Sequence, residues 1–211
     1  MEIIYLDKVD STQKYLKEYI KKQNIKSNIA IVTDDQTDGI GSKENSWQGV
    51  KGNLYFSFTQ HISQLPQDLK LQSASIYFSF LLKEVLKKHN SKVWIKWPND
   101  FYLDNKKIGG TITHLVDDLL YCGIGLNIVP IDESYGCLDI QIDKASILDD
   151  YFLSLEEKPS WKKVFSQFRI EYELSRNFKA TFKDRKISLA DSVLLEDGSI
   201  LIENEKVYSL R

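Results

Sequence analysis

Three stretches of the chain set glycines beside lysine, aspartate or asparagine, the residue types that could close a backbone around an anion or a flat ligand. The first is Gln36-Thr37-Asp38-Gly39-Ile40-Gly41-Ser42-Lys43, followed by Trp47. Glycine lets backbone N–H groups come close to an anion, and a lysine in such a loop can neutralise phosphate. A Gly-x-Gly is more often a plain turn, and the chain has neither a Walker lysine pattern nor a full Gly-x-Gly-x-x-Gly. The second is Lys96-Trp97-Pro98-Asn99-Asp100, continued by Lys106-Lys107-Ile108-Gly109-Gly110. Proline interrupts a regular ladder, which suits a bend that aims Asn99 and Asp100 into a cleft. Asp100 and Lys107 flank the turn-forming pair Asp104-Asn105, so a hairpin there would bring the carboxylate and the ammonium together. Such a pair could bind phosphate, with Asp100 holding Mg²⁺ or orienting the lysine, although spacing alone favours a solvated hairpin. The third is Gly123-Ile124-Gly125-Leu126-Asn127, where alternate glycines bare one face of a strand. A bare face packs on backbone or on a flat ligand, and the pattern does not distinguish the two.

These stretches need elements to position them. Apolar spacing predicts a strand over Ile3 to Leu6, then a helix over Thr12 to Lys22 capped by Asp10 or Ser11. A strand is expected over Ile29 to Thr33, a long functional loop over Asp34 to Lys51, and a strand over Leu54 to Thr59. Leu69 to His89 has the spacing of a core-packing helix. Four strands follow: Val93 to Trp97, Asp100 to Leu103, Lys107 to Val116 and Leu119 to Ile128. Tight turns at Asp104-Asn105 and Asp117-Asp118 make them an antiparallel meander. After an irregular stretch come a helix over Trp161 to Asn177 and short strands to Arg211 with an Asp197-Gly198 turn. The fold expected is α+β, an antiparallel-rich mixed sheet with helices on one face. Residues 1–177 would form the main domain, and residues 178–211 a small C-terminal β unit.

Bulk properties narrow the function. With 211 residues, 42% hydrophobic and 27% charged, the chain has the composition of a folded globular protein. A net charge of −2 gives no general attraction to DNA or RNA. No secretory leader or membrane-crossing run is expected, which points to the cytoplasm. Cys122 and Cys137 fit neither a disulfide framework nor a zinc pattern. His61, His89 and His114 lack partners at ligand spacing, so no protein-built transition-metal site is expected.

Taken in order, the three stretches resemble the biotin protein ligase family. Lys96-Trp97-Pro98-Asn99-Asp100, Tyr102-Leu103 and Lys107-Ile108-Gly109-Gly110 closely match its Lys/Arg-Trp-Pro-Asn-Asp-hairpin-Lys-x-x-Gly element, a highly specific motif. Asp10-Ser11-Thr12 resembles its Ser-Thr element, Gly52-Asn53-Leu54-Tyr55 its strand entry, and Gly123 to Asn127 its Gly-x-Gly-x-Asn strand. The tail from Phe178 resembles, more loosely, a shortened SH3-like C-terminal domain.

The resemblance implies a class II synthetase-like catalytic fold and a two-step ligase reaction. The biotin carboxylate attacks the α-phosphorus of ATP, and a lysine of a biotin carboxyl carrier protein, such as that of acetyl-CoA carboxylase, then attacks the mixed anhydride. By the same resemblance Lys107 and Asp100 are catalytic. Lys107 contacts the biotin carboxyl and the α-phosphate, and Asp100 assists at Mg²⁺ or positions the acceptor lysine. Ser11, Thr12, Gln36, Gly39, Gly41, Lys107, Gly110, Gly123 and Gly125 would line the biotin site. Lys43, Trp47, Asn99, Lys107 and Asn127 would hold ATP and the adenylate. In one place the chain departs from the family. Its loop usually reads Gly-Arg-Gly-Arg-x-Gly-Arg-x-Trp, and Ile40, Ser42 and Asn45 stand at the three arginine positions. Lys43 is then expected to supply part of the missing charge, without an arginine's bidentate fork.

The start close to the Ser-Thr element leaves no room for the upstream DNA-binding helix-turn-helix that some members carry, so a monofunctional enzyme without DNA or membrane partners is expected. Homodimerisation stays open. Two other readings stand beside this one: a lipoate or octanoate protein ligase, whose Arg-Arg-x-x-Gly-Gly-Gly run is missing here, and a non-catalytic biotin-binding sensor, suggested by the lost arginines.

Overall fold

Alternating and continuous apolar runs assemble a seven-stranded sheet whose two faces carry different cargo. The structure is a computed structural model that describes residues 1–25, 28–41, 46–47, 49–182 and 185–208. The sheet contains β1 (Glu2–Leu6), β2 (Ile29–Thr33), β5 (Leu54–His61), β6 (Trp94–Lys96), β7 (Asp100–Leu103), β8 (Lys106–Val116) and β9 (Leu119–Leu126). Across the sheet the order is β1-β2-β5-β9-β8-β7-β6. Only β1 and β2 pair in parallel, joined through α1 (Thr12–Gln23), and every other neighbour is antiparallel.

Period-2 alternation sorts the side chains. Ala30, Val32, Phe56, Phe58, Cys122 and Ile124 join the large core on one face. There α2 (Ala74–Lys88), α3 (Lys144–Glu156) and α4 (Trp161–Ser175) cover them. Helices on one face therefore describes α2, α3 and α4. The fourth helix, α1, covers the other face, where Leu16 and Ile20 pack with Ile29, Ile31 and Tyr121. That second face also carries Ser57, Gly123 and Gly125 on alternate strand positions.

Two elements differ from the sequence reading. The stretch taken as irregular contains α3, capped by the Asp143 carboxylate, which accepts from Ala145 N at 3.1 Å and Ser146 N at 3.3 Å. The long loop contains a small hairpin of β3 (Gly39–Ile40) and β4 (Ser46–Trp47). Beyond α4 come β10 (Lys179–Phe182), paired with β11 (Arg185–Ser188), and a three-stranded sheet of β12 (Val193–Leu194), β13 (Ile200–Ile202) and β14 (Glu205–Val207). Ala180, Ile187, Leu189, Ile200, Ile202 and Val207 belong to the same core as α2. Among the described residues no helix is long and apolar enough to cross a membrane.

Candidate functional site

Gly110 of β8 and Gly123 and Gly125 of β9 form the floor of a cavity of about 310 Å³ on the α1 face of the sheet. Gly110 pairs with Gly125, and Asp100 pairs with Gly110, so these two bare positions meet the acidic end of the β7–β8 hairpin. Gly125 lies under an aromatic ring: a Cβ there would stand 2.9 Å from Cε2 of Trp47. The third stretch therefore packs on side chains that roof the cavity. Gly39 supports the roof from outside the lining, because a Cβ on it would come 2.9 Å from Trp47 Cβ.

At one end of the cavity stands a charged cluster. Lys107 Nζ lies 2.6 Å from Asp100 Oδ1, and Lys96 Nζ lies 3.2 Å from Asp100 Oδ2. Burial pushes the Asp100 carboxyl up, but the ammonium groups of Lys107 and then Lys96 outweigh it and hold the group below the usual carboxylate range. Strand β6 is held from behind by α4, where Glu171 accepts from Ile95 N at 3.3 Å and Ser175 Oγ from Trp97 N at 3.0 Å. The Trp97–Pro98 bond that follows is cis. Lys107 also stands 5.4 Å from the centre of the Trp47 ring, and among the described residues it is the one cation in the lining.

Asp100 does not fit a Mg²⁺ ligand. Both its oxygens are already engaged by ammonium groups, and a divalent cation there would face two positive charges at close range. No group of three His, Cys, Asp or Glu residues that could hold a metal occurs among the described residues.

At the other end the groups are neutral. Ser11 caps α1 by accepting from Lys14 N at 3.4 Å, and Asp10 Oδ1 accepts from Ser11 N at 2.7 Å. Gln36 Oε1 accepts from Thr12 N at 2.9 Å, and the Thr12 hydroxyl lies 3.1 Å from that oxygen and 2.8 Å from Ser57 Oγ. The loop carrying Gln36 is tied to the start of α1 by Thr37 N donating to Val9 O and Asp38 N to Asp10 O.

Asn99 and Asn127 act partly as clamps. Asn99 Nδ2 donates to Thr111 O, and Asn127 Nδ2 donates to Gly136 O at 3.2 Å, which brings the Tyr135-Gly136 loop over the floor. Among the described residues Asn127 Oδ1 has no hydrogen-bond partner, and neither does Trp47 Nε1 or Thr111 Oγ1. Buried polar atoms are nearly always bonded, so a group of them facing one cavity marks a place for a polar ligand.

The cavity lining thus brings together Ser11, Thr12, Gln36, Gly41, Trp47, Asn99, Asp100, Lys107, Gly110, Gly123, Gly125 and Asn127. Of the remaining expected site residues, Gly39 lies behind the lining, and Lys43 falls outside the described residues, as do Ser42 and Asn45 of the substituted loop. Sequence reasoning missed Gln13, Ser57, Thr111 and Tyr135, which also line the cavity. Gln13 and Ser57 look ordinary in sequence, and they become visible only once β5 and β9 pair and α1 lies across them.

Comparison with known proteins adds an independent line. The family model for the biotin/lipoate A/B protein ligase family matches residues 5–127. The bifunctional ligase/repressor BirA of Escherichia coli (strain K12) is 31% identical over 229 residues, which span 97% of this chain and 70% of that protein. The crystal structure of biotin acetyl coenzyme A carboxylase synthetase from Helicobacter pylori, with bound biotinylated ATP, is similar at a TM-score of 0.93 and 38% identity, covering 98% of this chain and 99% of that one. Biotin protein ligase from Aquifex aeolicus in complex with biotin and ATP is similar at a TM-score of 0.77 and 26% identity, covering 100% and 96%.

Proposed function

This chain belongs to the biotin/lipoate A/B protein ligase family, and from that membership and the geometry of its cavity we infer that it is an ATP-dependent biotin protein ligase. It joins biotin to AMP with release of pyrophosphate, then transfers the biotinyl group to a lysine amine of a biotin carboxyl carrier protein with release of AMP. The observation that carries this reading is the polarity of the cavity, which is cationic at Lys107 and neutral and hydrogen-bonding around Thr12 and Gln36. Biotin has the same polarity, with a carboxylate at one end and an uncharged cyclic urea at the other.

Activation concentrates negative charge where the biotin carboxylate meets the α-phosphate. Lys107 lies at the cationic end to stabilise that charge, and a fixed ammonium in a partly buried site does so without reorganising at the moment of reaction. Asp100 and Lys96 hold Lys107 in place. Asp100 then faces the incoming carrier lysine as the acceptor that orients its amine. Trp47 lies over Gly125 as an apolar lid for the adenylate, and Asn127 has a buried carbonyl oxygen without a partner among the described residues that would accept from it. Asp100, already held by two ammonium groups, would leave Mg²⁺ to the phosphates of ATP. We place the reaction in the cytoplasm, where ATP is supplied, and assign the chemistry to residues 1–177, with residues 178–211 as a β unit packed against them.

The lipoate or octanoate ligase and the non-catalytic sensor are not favoured. Two solved structures that match across most of this chain are described with biotin bound or as its ATP conjugate, and Asp100 and Lys107 are both present and in contact. Intact-mass analysis of a biotin carboxyl carrier domain after incubation with the protein, biotin and MgATP tests the assignment. A biotin-sized gain on one lysine is expected, abolished in Lys107→Ala. No gain on that carrier, or a lipoyl-sized gain on a lipoyl domain supplied with lipoate, would overturn it.

A further inference from the structure

Strand β6 lies at one edge of the sheet, with β7 as its neighbour and Lys96 opposite Asp100. Alternate N–H groups of an antiparallel strand point to opposite edges, and those of Ile95 and Trp97 are turned away from β7. Such an edge needs cover. Helix α4 supplies it with two side chains one turn apart: Glu171 Oε2 accepts from Ile95 N at 3.3 Å, and Ser175 Oγ from Trp97 N at 3.0 Å. Four helical residues rise about 6 Å and two strand residues about 7 Å, so one turn of α4 matches one repeat of β6.

Serine is an ordinary choice for such a contact, and a carboxylate is not. The Glu171 side chain is 12% exposed, and burial pushes its carboxyl up against the opposing pull of Lys83 and of the Ile95 N–H. Lys83 is more deeply buried still. Its Nζ stands 3.6 Å from Glu171 Oε2, 2.6 Å from Glu84 Oε1 and 3.8 Å from the centre of the Phe80 ring. A buried ion pair is often no more stabilising than well-packed apolar residues in the same volume. Its gain here is geometric, because a charged acceptor holds an N–H more firmly than a neutral one.

The backbone held in this way carries the charged cluster. Side chains alternate across a strand, so Ile95 and Trp97 enter the core while Lys96 between them projects to the other face and reaches Asp100 Oδ2. Asp100 Oδ1 in turn holds Lys107 Nζ. We propose that Glu171, with Ser175 one turn on, is a positioning residue for the adenylation step: by holding Ile95 and Trp97 it fixes the base of Lys96, and through Lys96 and Asp100 it sets where the Lys107 ammonium stands. Glu171 touches neither substrate and lies behind the strand, outside the cavity lining. This inference rests on the ligase reading and deepens it, since it names what keeps Lys107 in register.

The test uses the full chain with Glu171→Leu, which removes the acceptor, Glu171→Gln, which keeps an acceptor oxygen at the same length, and Ser175→Ala. Biotin-dependent pyrophosphate release is measured at steady state and in a single turnover normalised to the active sites, alongside thermal melting. A misplaced Lys107 predicts a kcat about 10- to 100-fold lower in Glu171→Leu. The KM for biotin should change little, because the groups around Thr12 and Gln36 do not hang from β6. Glu171→Gln should recover most of the lost kcat, and Ser175→Ala should show the same split between kcat and KM. A purely structural Glu171 would lower the melting temperature and the fraction of active sites while leaving the single-turnover rate per site unchanged, and that result would overturn the proposal. So would an equal loss in Glu171→Gln and Glu171→Leu. If Glu171→Leu does not fold, Ser175→Ala carries the test, and a wild-type single-turnover rate in it would overturn the proposal. No biotin-dependent pyrophosphate release by the wild type would remove the ligase reading and this one with it, whereas release by the wild type and by an indifferent Glu171→Leu removes only this one.

Discussion

Two ammonium groups share the one carboxylate of Asp100, and this excess of charge decides what the cluster can do. A Lys107–Asp100 pair alone would be neutral and would gain little from an incoming anion. With Lys96 on the second oxygen the cluster keeps a net positive charge, and Lys107 can turn to a phosphate without leaving Asp100 unpaired. That matters in a chain whose loop has Ile40 at a position where the family usually has arginine. The same cluster stabilises the fold. The Asp100 side chain is 21% exposed and that of Lys96 11%, so the pairing is only partly screened. Because the carboxyl is held below its ordinary range in the folded state, its contribution is present at neutral pH and is lost as pH falls through that depressed value. Asp100→Asn should therefore destabilise the protein at pH 7 by about 2 kcal/mol, below the figure for a fully buried pair because of this exposure. That corresponds to a melting temperature about 4–8 °C lower. The deficit should narrow in acid, where the wild type also loses the charge. Calorimetry across pH checks this, and a deficit independent of pH would mean that the carboxylate charge is not what holds the two lysines.

At the level of elements, the β8–β9 pair places two glycines where a methyl group would have opposite consequences. A Cβ on Gly109 would stand 2.6 Å from Gly125 O, a backbone atom held in the ladder, so Gly109→Ala must strain the sheet itself. It should cost about 1–3 kcal/mol of stability, as overpacking does. A Cβ on Gly125 would meet the Trp47 indole, which belongs to a short two-residue strand and can move. Gly125→Ala should leave the melting temperature nearly unchanged and weaken nucleotide binding by about tenfold, as measured by titration with a non-hydrolysable ATP analogue. A stability loss like that of Gly109→Ala would show that Trp47 is a fixed part of the fold. These elements were legible in sequence to different degrees. Asp104 and Asp117 take positive φ at the two hairpin turns, so turn residues between alternating runs located β7, β8 and β9. Helix α3 was not legible, because its buried residues are Ile147, Leu148, Tyr151 and Phe152, interrupted in sequence by Asp149 and Asp150. The alternating glycines announced a bare strand face. What covers it depends on Gln13 and Trp47, which are 110 and 78 residues from their respective glycines, and no local pattern encodes that pairing.

For the whole molecule, the question is whether the C-terminal β unit is a separate body or part of the catalytic fold. Its Asp197-Gly198 turn presses into the same ground that supports the site. Trp97 Nε1 donates to Gly198 O at 2.9 Å and Trp161 Nε1 to Glu196 O at 2.8 Å, while Ser73 Oγ donates to Asp197 O. Trp97 is fully buried and stands two residues before Asn99 and three before Asp100. Gly198 has φ of +76°, and a side chain there would also meet Ile76 Cδ1 at 2.9 Å. Removing residues 178–211 would expose the Trp97 and Trp161 donors, and it would uncover the core positions now filled against Leu189 and Ile200. A division at residue 177 thus follows the order of the chain more closely than the arrangement of the core. The full chain should unfold in one calorimetric transition with the van't Hoff enthalpy equal to the measured one. The 1–177 fragment should lose that cooperative transition and, with Trp97 no longer held, the biotinylation activity. Two resolved transitions in the full chain, or an active 1–177 fragment, would instead make the tail an independent unit, and its hydrogen bonds to Trp97 would then have no part in shaping the site.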